Sequence, residues 1–406
     1  MAIKEEIVCG LDIGSSQIVC VLGKYDTNRN TIEIIASGRN SCKGVKGGVV
    51  VSIHETAYSI KSAIEEAEEQ TDEVVNKVYL GIRGEHIETL NNRGVVSISR
   101  TDKEITADDV EQAIDNANAI QISPDRDIID TIPQEFSLDR QKGVPNPIGM
   151  DGHYLEVYVH IVTAGMNHLT NIYKSVSQAG FSVVEPIYGI MALGDIVVLD
   201  EEKDVGCLLI DFGGQTTGMA IYSEGSIRFS REISCGSDLI TRDIAHALHT
   251  SLAQAQLVKE KYGVTIPNLV KEDKEIEFIG VDGHNVHKTT RKRLADIIAP
   301  RLEEISERIN DEIQNSTYAD AIVPGGIILT GGGAKLQNCA EAFERVIGIS
   351  TRMGLPQNIM GSNEIISNPV YATAIGVLRY RPHPETSRIK RIMKRIPLWK
   401  RVRDLF

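Results

Sequence analysis

The chain has 406 residues, 42% of them hydrophobic and 5% aromatic, with a net charge of −13. That length suits two or more domains with cores of their own, and the composition suits an α/β protein. No stretch approaches the ~18 consecutive apolar residues of a membrane span, and MAIKEEIVCGLDIG enters a strand with no signal-peptide pattern, so a cytoplasmic protein is expected. Cys9, Cys20, Cys42, Cys207, Cys235 and Cys339 include no CxxC pair and read as reduced, buried thiols. The charge is uneven: residues 387–406 hold eight Lys or Arg against Asp404 alone, so a basic tail follows an acidic body.

The first element is Gly10–Leu22, a strand, an Asp-x-Gly turn at Asp12 and Gly14, and a second strand. Ser15, Ser16 and Gln17 in the turn offer donors to phosphate oxygens. The helix that follows, His54–Gln70, places Ile60, Ala63, Ile64 and Ala67 on one face, and Val78–Ile82 is a buried strand. From Gly84 to Val162 the texture changes. A strand at Val95–Ser99, a capping box at Thr106–Asp109, an amphipathic helix and a strand at Leu155–Val162 read as an inserted small domain. Pro133, Pro145 and Pro147 punctuate a loop-rich stretch within it, and His153 and His160 read as a surface and a strand residue. Asn167–Ala179 is a helix, and Val183–Pro186 ends a strand. Glu185 would stand at that strand end, placed to position a water or a metal-bound water.

Leu208–Tyr222, LLIDFGGQTTGMAIY, repeats the first hairpin: Asp211 and Gly213 stand as Asp12 and Gly14 do. Gly213, Gly214, Gln215 and Thr216 form its turn. Two such hairpins facing each other across a cleft suit a metal-bound phosphate, with turn amides on the anion and Asp12 and Asp211 facing Mg²⁺ through water. Gly236-Ser237 opens a long helix, towards whose end Gln256 and Lys259 share a face within reach of a ribose or adenine. Ile276–Val286 is a hairpin about Asp282-Gly283. His287–Arg293, HKTTRKR, begins a helix that Pro300 must kink or divide. Gly325–Phe343 reads as strand, triple glycine and helix; Gly331, Gly332 and Gly333 let the backbone pass close to a flat ligand, with Lys335 beside them. Asn368-Pro369 caps a last, Ala- and Gly-rich helix over Val370–Leu378.

After a short linker at 381–386 the tail carries two apolar stripes. One is Ile389, Ile392, Met393 and Ile396; the other is Leu398, Trp399, Val402, Leu405 and Phe406. At about 100° per residue they are rotated by roughly 130°, with Pro397 at the join, so two short amphipathic segments are predicted. Lys390, Arg391, Lys394, Arg395, Lys400 and Arg401 would face an anionic membrane, each contributing about 1 kcal/mol. Trp399 and Phe406 favour a membrane over nucleic acid as the partner.

The paired hairpins at Asp12 and Asp211 and the triple glycine at Gly331, in that order, resemble the actin, sugar kinase and heat-shock chaperone ATPase superfamily. Within it, Ile132–Met150 (IPQEFSLDRQKGVPNPIGM), Leu155–Thr163, Gly236–Ala245 (GSDLITRDIA) and the amphipathic tail resemble the FtsA family of bacterial cell-division proteins. The resemblance implies two actin-like, ribonuclease H-like lobes around a nucleotide cleft, each with an accessory subdomain, and a membrane tail. On that division residues 1–83 and 163–200 form the first lobe and 84–162 its inserted subdomain. Residues 201–240 and 297–366 form the second lobe, 241–296 its accessory subdomain, 367–380 a return helix and 387–406 the tail. It implies ATP and Mg²⁺ in the cleft with at most weak ATPase activity, self-assembly into filaments, contacts with other division proteins, and tethering of FtsZ to the inner face of the membrane. The FtsZ C-terminal peptide would dock near residues 241–305, its carboxylates met by Arg291, Lys292, Arg293 and Arg301. Gln215 and Gly218 depart from the Gly and Asp of the family pattern, and Gln256 from its Glu. The alternatives on the same body are a sugar-kinase-class phosphotransferase and a PilM-like pilus adaptor.

Overall fold

A computed structural model of the chain describes residues 5–26 and 31–380. The linker and the tail, with both membrane stripes and their basic residues, lie outside the described residues.

Two sheets built on one plan form the two lobes. The first has the order Ser182–Tyr188, Lys77–Ile82, Glu5–Ile13, Gln17–Asp26, Thr31–Ser41, Met360–Gly361; the second has Ser226–Ile233, Thr217–Ser223, Cys207–Phe212, Ile327–Thr330, Thr351–Met353. In each, the strand carrying the aspartate pairs antiparallel with the other arm of its hairpin and parallel with a later strand, Lys77–Ile82 or Ile327–Thr330. Cys207–Phe212 is buried at every position, which explains its unbroken apolar run. Helix Ile53–Glu68 covers the first sheet through Ile60, Ala63, Ile64 and Ala67, its start capped by Ser52. All six cysteines are buried.

The inserted segment has its own antiparallel sheet, Ile87–Ser97, Tyr154–Gly165, Arg126–Leu138 and Gln141–Val144, and its own core around Val110, Ile114, Phe136, Val157 and Ile161. Helix Ala107–Asn118 covers that sheet. Its capping box is formed: Asp109 N–H donates to Thr106 Oγ1 at 3.4 Å and Thr106 N–H to Asp109 Oδ2 at 2.7 Å. The proline-rich loop expected around Pro133 is instead a strand of 13 residues. A register shift opposite Tyr158 and Val159 lets Pro133 sit in the ladder without breaking it.

Three helices begin or break differently from expectation. The long helix after Gly236 is two, Asp238–Leu248 and Leu252–Tyr262, because His249 is left-handed at φ 49° and Ser251 caps a new start. In HKTTRKR the first four residues complete the strand Val286–Thr290, and the helix Arg291–Gln314 starts at Arg291 under a Thr290 cap. That helix runs through Pro300, which is exposed. After the triple glycine comes a single 3-10 turn, Gly333–Lys335, and the helix proper is Cys339–Ile347. The hairpin about Asp282-Gly283 is present, with Asp282 Oδ1 accepting from the N–H groups of His284 and Asn285.

Candidate functional site

The two hairpin turns close identically. Gly14 N–H donates to Gln17 O at 3.2 Å, and Gly213 N–H donates to Thr216 O at 3.1 Å. Each turn holds its aspartate at the carboxyl end of a strand flanked by a parallel neighbour, where open α/β sheets place their ligands. Asp12 lies opposite Gly81 and Asp211 opposite Thr330.

Both carboxylates face one guanidinium. Arg83, directly after the strand Lys77–Ile82, donates from Nε to Asp12 Oδ1 at 3.2 Å and from Nη2 to Asp12 Oδ2 at 2.7 Å; its Nη1 lies 3.1 Å from Asp211 Oδ2. Nη2 also donates to Thr373 Oγ1 at 3.0 Å, on the return helix Ala372–Tyr380, and that hydroxyl lies 3.5 Å from Asp211 Oδ2. Burial raises the Asp12 pKa against the opposing pull of Arg83. Burial also works against the Arg83 charge, but Asp12, Asp211 and Glu232 outweigh it and hold the guanidinium protonated. The Mg²⁺ expected at Asp12 and Asp211 therefore meets an arginine, and a divalent ion does not fit between the carboxylates as they stand.

Gly218, a departure from the family pattern, has a partner in the same cluster. It pairs with Glu232 across the antiparallel ladder, and a Cβ at 218 would lie 2.7 Å from Glu232 Oε1. Oε2 of Glu232 accepts from Gly84 N–H at 3.3 Å. The space a side chain at 218 would take is thus filled by a carboxyl group from the neighbouring strand. Burial pushes its pKa up to about 8 against the opposing pull of Arg83.

The hairpins also touch across the cleft. Asp238 accepts from Ser16 Oγ at 3.2 Å and from Gln215 Nε2 at 3.1 Å, and Gln215 Oε1 accepts from Gly47 N–H at 3.0 Å. Gln215, the other turn departure, is therefore a bridge between lobes. A Cβ at Gly214 would lie 1.9 Å from Ser16 Oγ. Between these lips the cavity is about 60 Å³, well below the ~300–1,000 Å³ of a typical ligand site. As it stands the cavity is too small for a whole nucleotide. A larger groove of about 690 Å³, lined by Pro267, Leu302, Glu307 and Arg345 among others, spans the second lobe and its accessory subdomain and includes none of the expected nucleotide-site residues.

Gly14, Ser15, Ser16, Gln17, Gly213, Gly214, Gln215, Thr216, Gly331 and Gly332 are brought together on this cavity with Asp12 and Asp211. Gly331, at φ 92°, leaves room for Asp211 Oδ1, which would lie 2.4 Å from a Cβ there. The other expected residues stand behind the cavity or away from it. Gly236 supports the second turn, where Ser237 and Asp238 N–H groups donate to Gly213 and Gly214 carbonyls at 3.0 and 2.7 Å. Lys259 is buried and donates to Ser237 O at 3.1 Å; burial pulls its pKa down to about 8. Gln256 accepts from Thr241 Oγ1 at 2.7 Å and donates to Glu260. Gly333 packs on the Phe212 ring, and Lys335 is exposed. Glu185 does not stand at a strand end: its strand continues to Tyr188, and Glu185 sits half-buried beside a register shift, off the cavity lining. Arg291 is committed to Tyr262 O and Gln337, and Arg301 to Asp243 and Glu304, which leaves Lys292 and Arg293 exposed.

Arg83, Thr373, Glu232 and Asp238 are the functional candidates the sequence reading missed. Asp238 had a signal, an acidic residue in the first turn of the helix opened by Gly236-Ser237. Arg83 had a weaker one, a charge ending a buried strand beside Gly84.

Comparison with known proteins agrees with this architecture. A family model described as "Cell division protein FtsA" matches residues 208–376, and one described as "SHS2 domain inserted in FTSA" matches residues 84–163. The "Cell division protein FtsA" of Pseudomonas aeruginosa is 35% identical over 375 residues, 92% of this chain and 89% of that protein. That of Escherichia coli K12 is 30% identical over 401 residues, 97% and 95% of the two chains. Among solved structures, the "PilM-PilN type IV pilus biogenesis complex" is similar at TM-score 0.65 and 19% identity, covering 92% of this chain and 98% of that one. MreB5 of Spiroplasma citri bound to ADP is similar at TM-score 0.56 and 14% identity, covering 93% and 96%. The fold is actin-like.

Proposed function

This chain belongs to the FtsA family of cell-division proteins, and from that premise we propose that it binds ATP between its lobes, polymerises on the inner face of the cytoplasmic membrane, and tethers FtsZ filaments there at the division site. The observation that carries the nucleotide part is the pair of identical turns presenting Asp12 and Asp211 to one point from two lobes. A polyphosphate spanning both turns favours whichever arrangement of the lobes lets both bind it, and so couples occupancy to lobe closure. Self-assembly that responds to closure would make ATP a switch for the polymer.

The tether combines the basic, apolar tail with a docking surface for the FtsZ C-terminal peptide on the second lobe's accessory subdomain. Lys292 and Arg293, exposed at the start of helix Arg291–Gln314, would meet its carboxylates. Later division proteins would then join the same assembly. The likeness to the PilM–PilN complex favours one second reading, a pilus-assembly adaptor that takes a different peptide. Liposome sedimentation with a labelled FtsZ C-terminal peptide separates them. The full chain should carry the peptide into the pellet, and a truncation to residues 1–385 should leave both in solution. Equal pelleting by the truncation, or no peptide in the pellet, contradicts the tether.

A further inference from the structure

A triphosphate brought to this cleft needs positive charge beside its oxygens. In the arrangement implied by the resemblance, that charge is a divalent ion facing Asp12 and Asp211. Here the place between the two carboxylates is filled by the chain itself. All three guanidinium nitrogens of Arg83 are engaged, Nε and Nη2 with Asp12 at 3.2 and 2.7 Å and Nη1 with Asp211 at 3.1 Å. Its side chain is 11% exposed and each aspartate side chain 8%. Three segments fix it: the strand Lys77–Ile82 that precedes it, the return helix through Thr373, and the backbone around Gly84, which is bonded to Glu232. Nη1 also borders the second phosphate turn, 3.7 Å from where a Cβ on Gly213 would stand.

Such a fixed cation stabilises an anion without coordination by metal and loses little freedom in doing so. It also repels a divalent ion from the same point, because two like charges in a poorly screened site oppose each other strongly.

We propose that Arg83 stands in for the divalent cation of this cleft, so that the chain binds a nucleoside triphosphate without a divalent metal. The inference rests on the cleft being a nucleotide site, and the test separates the two. Calorimetric titration of the full chain with ATP is run in EDTA and in MgCl₂. The wild type should show the same Kd in both media within about threefold. Arg83→Ser should bind about tenfold or more weakly in EDTA, the loss of a charged hydrogen-bond donor, and should recover when Mg²⁺ is added, having opened the space between Asp12 and Asp211. Arg83→Lys, which keeps the charge, should remain independent of metal and serves where the serine variant does not fold. Wild-type binding that disappears in EDTA and returns with Mg²⁺ overturns the inference and leaves the nucleotide reading intact. Absence of wild-type binding in both media overturns the nucleotide reading and this inference with it.

Discussion

Arg83 is the residue on which the cleft depends most. Removing one partner from a buried, hydrogen-bonded charge cluster costs about 3–5 kcal/mol, because the charges left behind stay buried and unpaired. Arg83→Ala should therefore lower unfolding stability by about that amount in urea denaturation, and Thr373→Val, which deletes one hydroxyl from the same cluster, by about 1–2 kcal/mol. An unchanged midpoint for Arg83→Ala would mean the carboxylates relax into solvent. At this scale the sequence was readable where a motif repeats and silent where it does not. Asp12 and Asp211 stand out because each is followed by the same glycine-bearing turn. Arg83 is 71 positions from Asp12, and Thr373 is 290 positions from Arg83; neither belongs to a local pattern. The departures at Gln215 and Gly218 look like losses in one dimension. In three dimensions Gln215 links Gly47 to Asp238, and Gly218 makes room for Glu232.

Among the elements, the inserted sheet is tied to the second lobe by a polar seam along the strand Ser226–Ile233. Thr89 Oγ1 donates to Ser230 O at 2.6 Å, Gln134 Nε2 to Ile227 O at 2.6 Å, and Ser226 Oγ to Gln134 O at 2.8 Å. His160, expected only as a strand residue, is buried in the seam with its ring nitrogens 2.7 Å from Asn91 Oδ1 and 2.9 Å from Ser230 Oγ. Burial, only partly offset by Asp130, pulls its pKa down to about 4. Above pH ~6.5 the ring is neutral in folded and unfolded chains alike, and its contribution is complete. As pH falls towards 4 the unfolded chain takes a proton that the folded one refuses, so stability is lost in that window, on the order of 3 kcal/mol by its lower end. A His160→Gln variant should show a shallower fall in stability between pH 6.5 and 4 than the wild type; parallel curves would contradict a neutral, buried His160. Element identity was legible here from periodicity and capping, as at Thr106. The long strand through Pro133 was hidden because proline normally marks a loop, and only the register shift that accommodates it makes it a strand. The break at His249 was hidden for a related reason: a left-handed histidine leaves no trace in an apolar pattern that continues on either side.

For the molecule as a whole, two repeats of one plan meet over a cavity of about 60 Å³, with Ser16, Asp238 and Gln215 as the latch. Ser16→Ala together with Gln215→Ala should loosen the latch and raise amide hydrogen exchange in both turns, whereas exchange equal to the wild type would show that the lobes are held elsewhere. The two-lobed body was readable from the repeated hairpin, but its closure was not, since the latch joins residues 222 positions apart. Whether closure, polymer and membrane act together is decided most directly by electron microscopy on lipid monolayers containing anionic lipid. With ATP the full chain should form filaments on the lipid, and the truncation to residues 1–385, or the full chain without nucleotide, should leave the monolayer bare. Filaments of equal density with and without the tail, or none from the full chain with ATP, would contradict a nucleotide-switched polymer anchored by its own C-terminal segment.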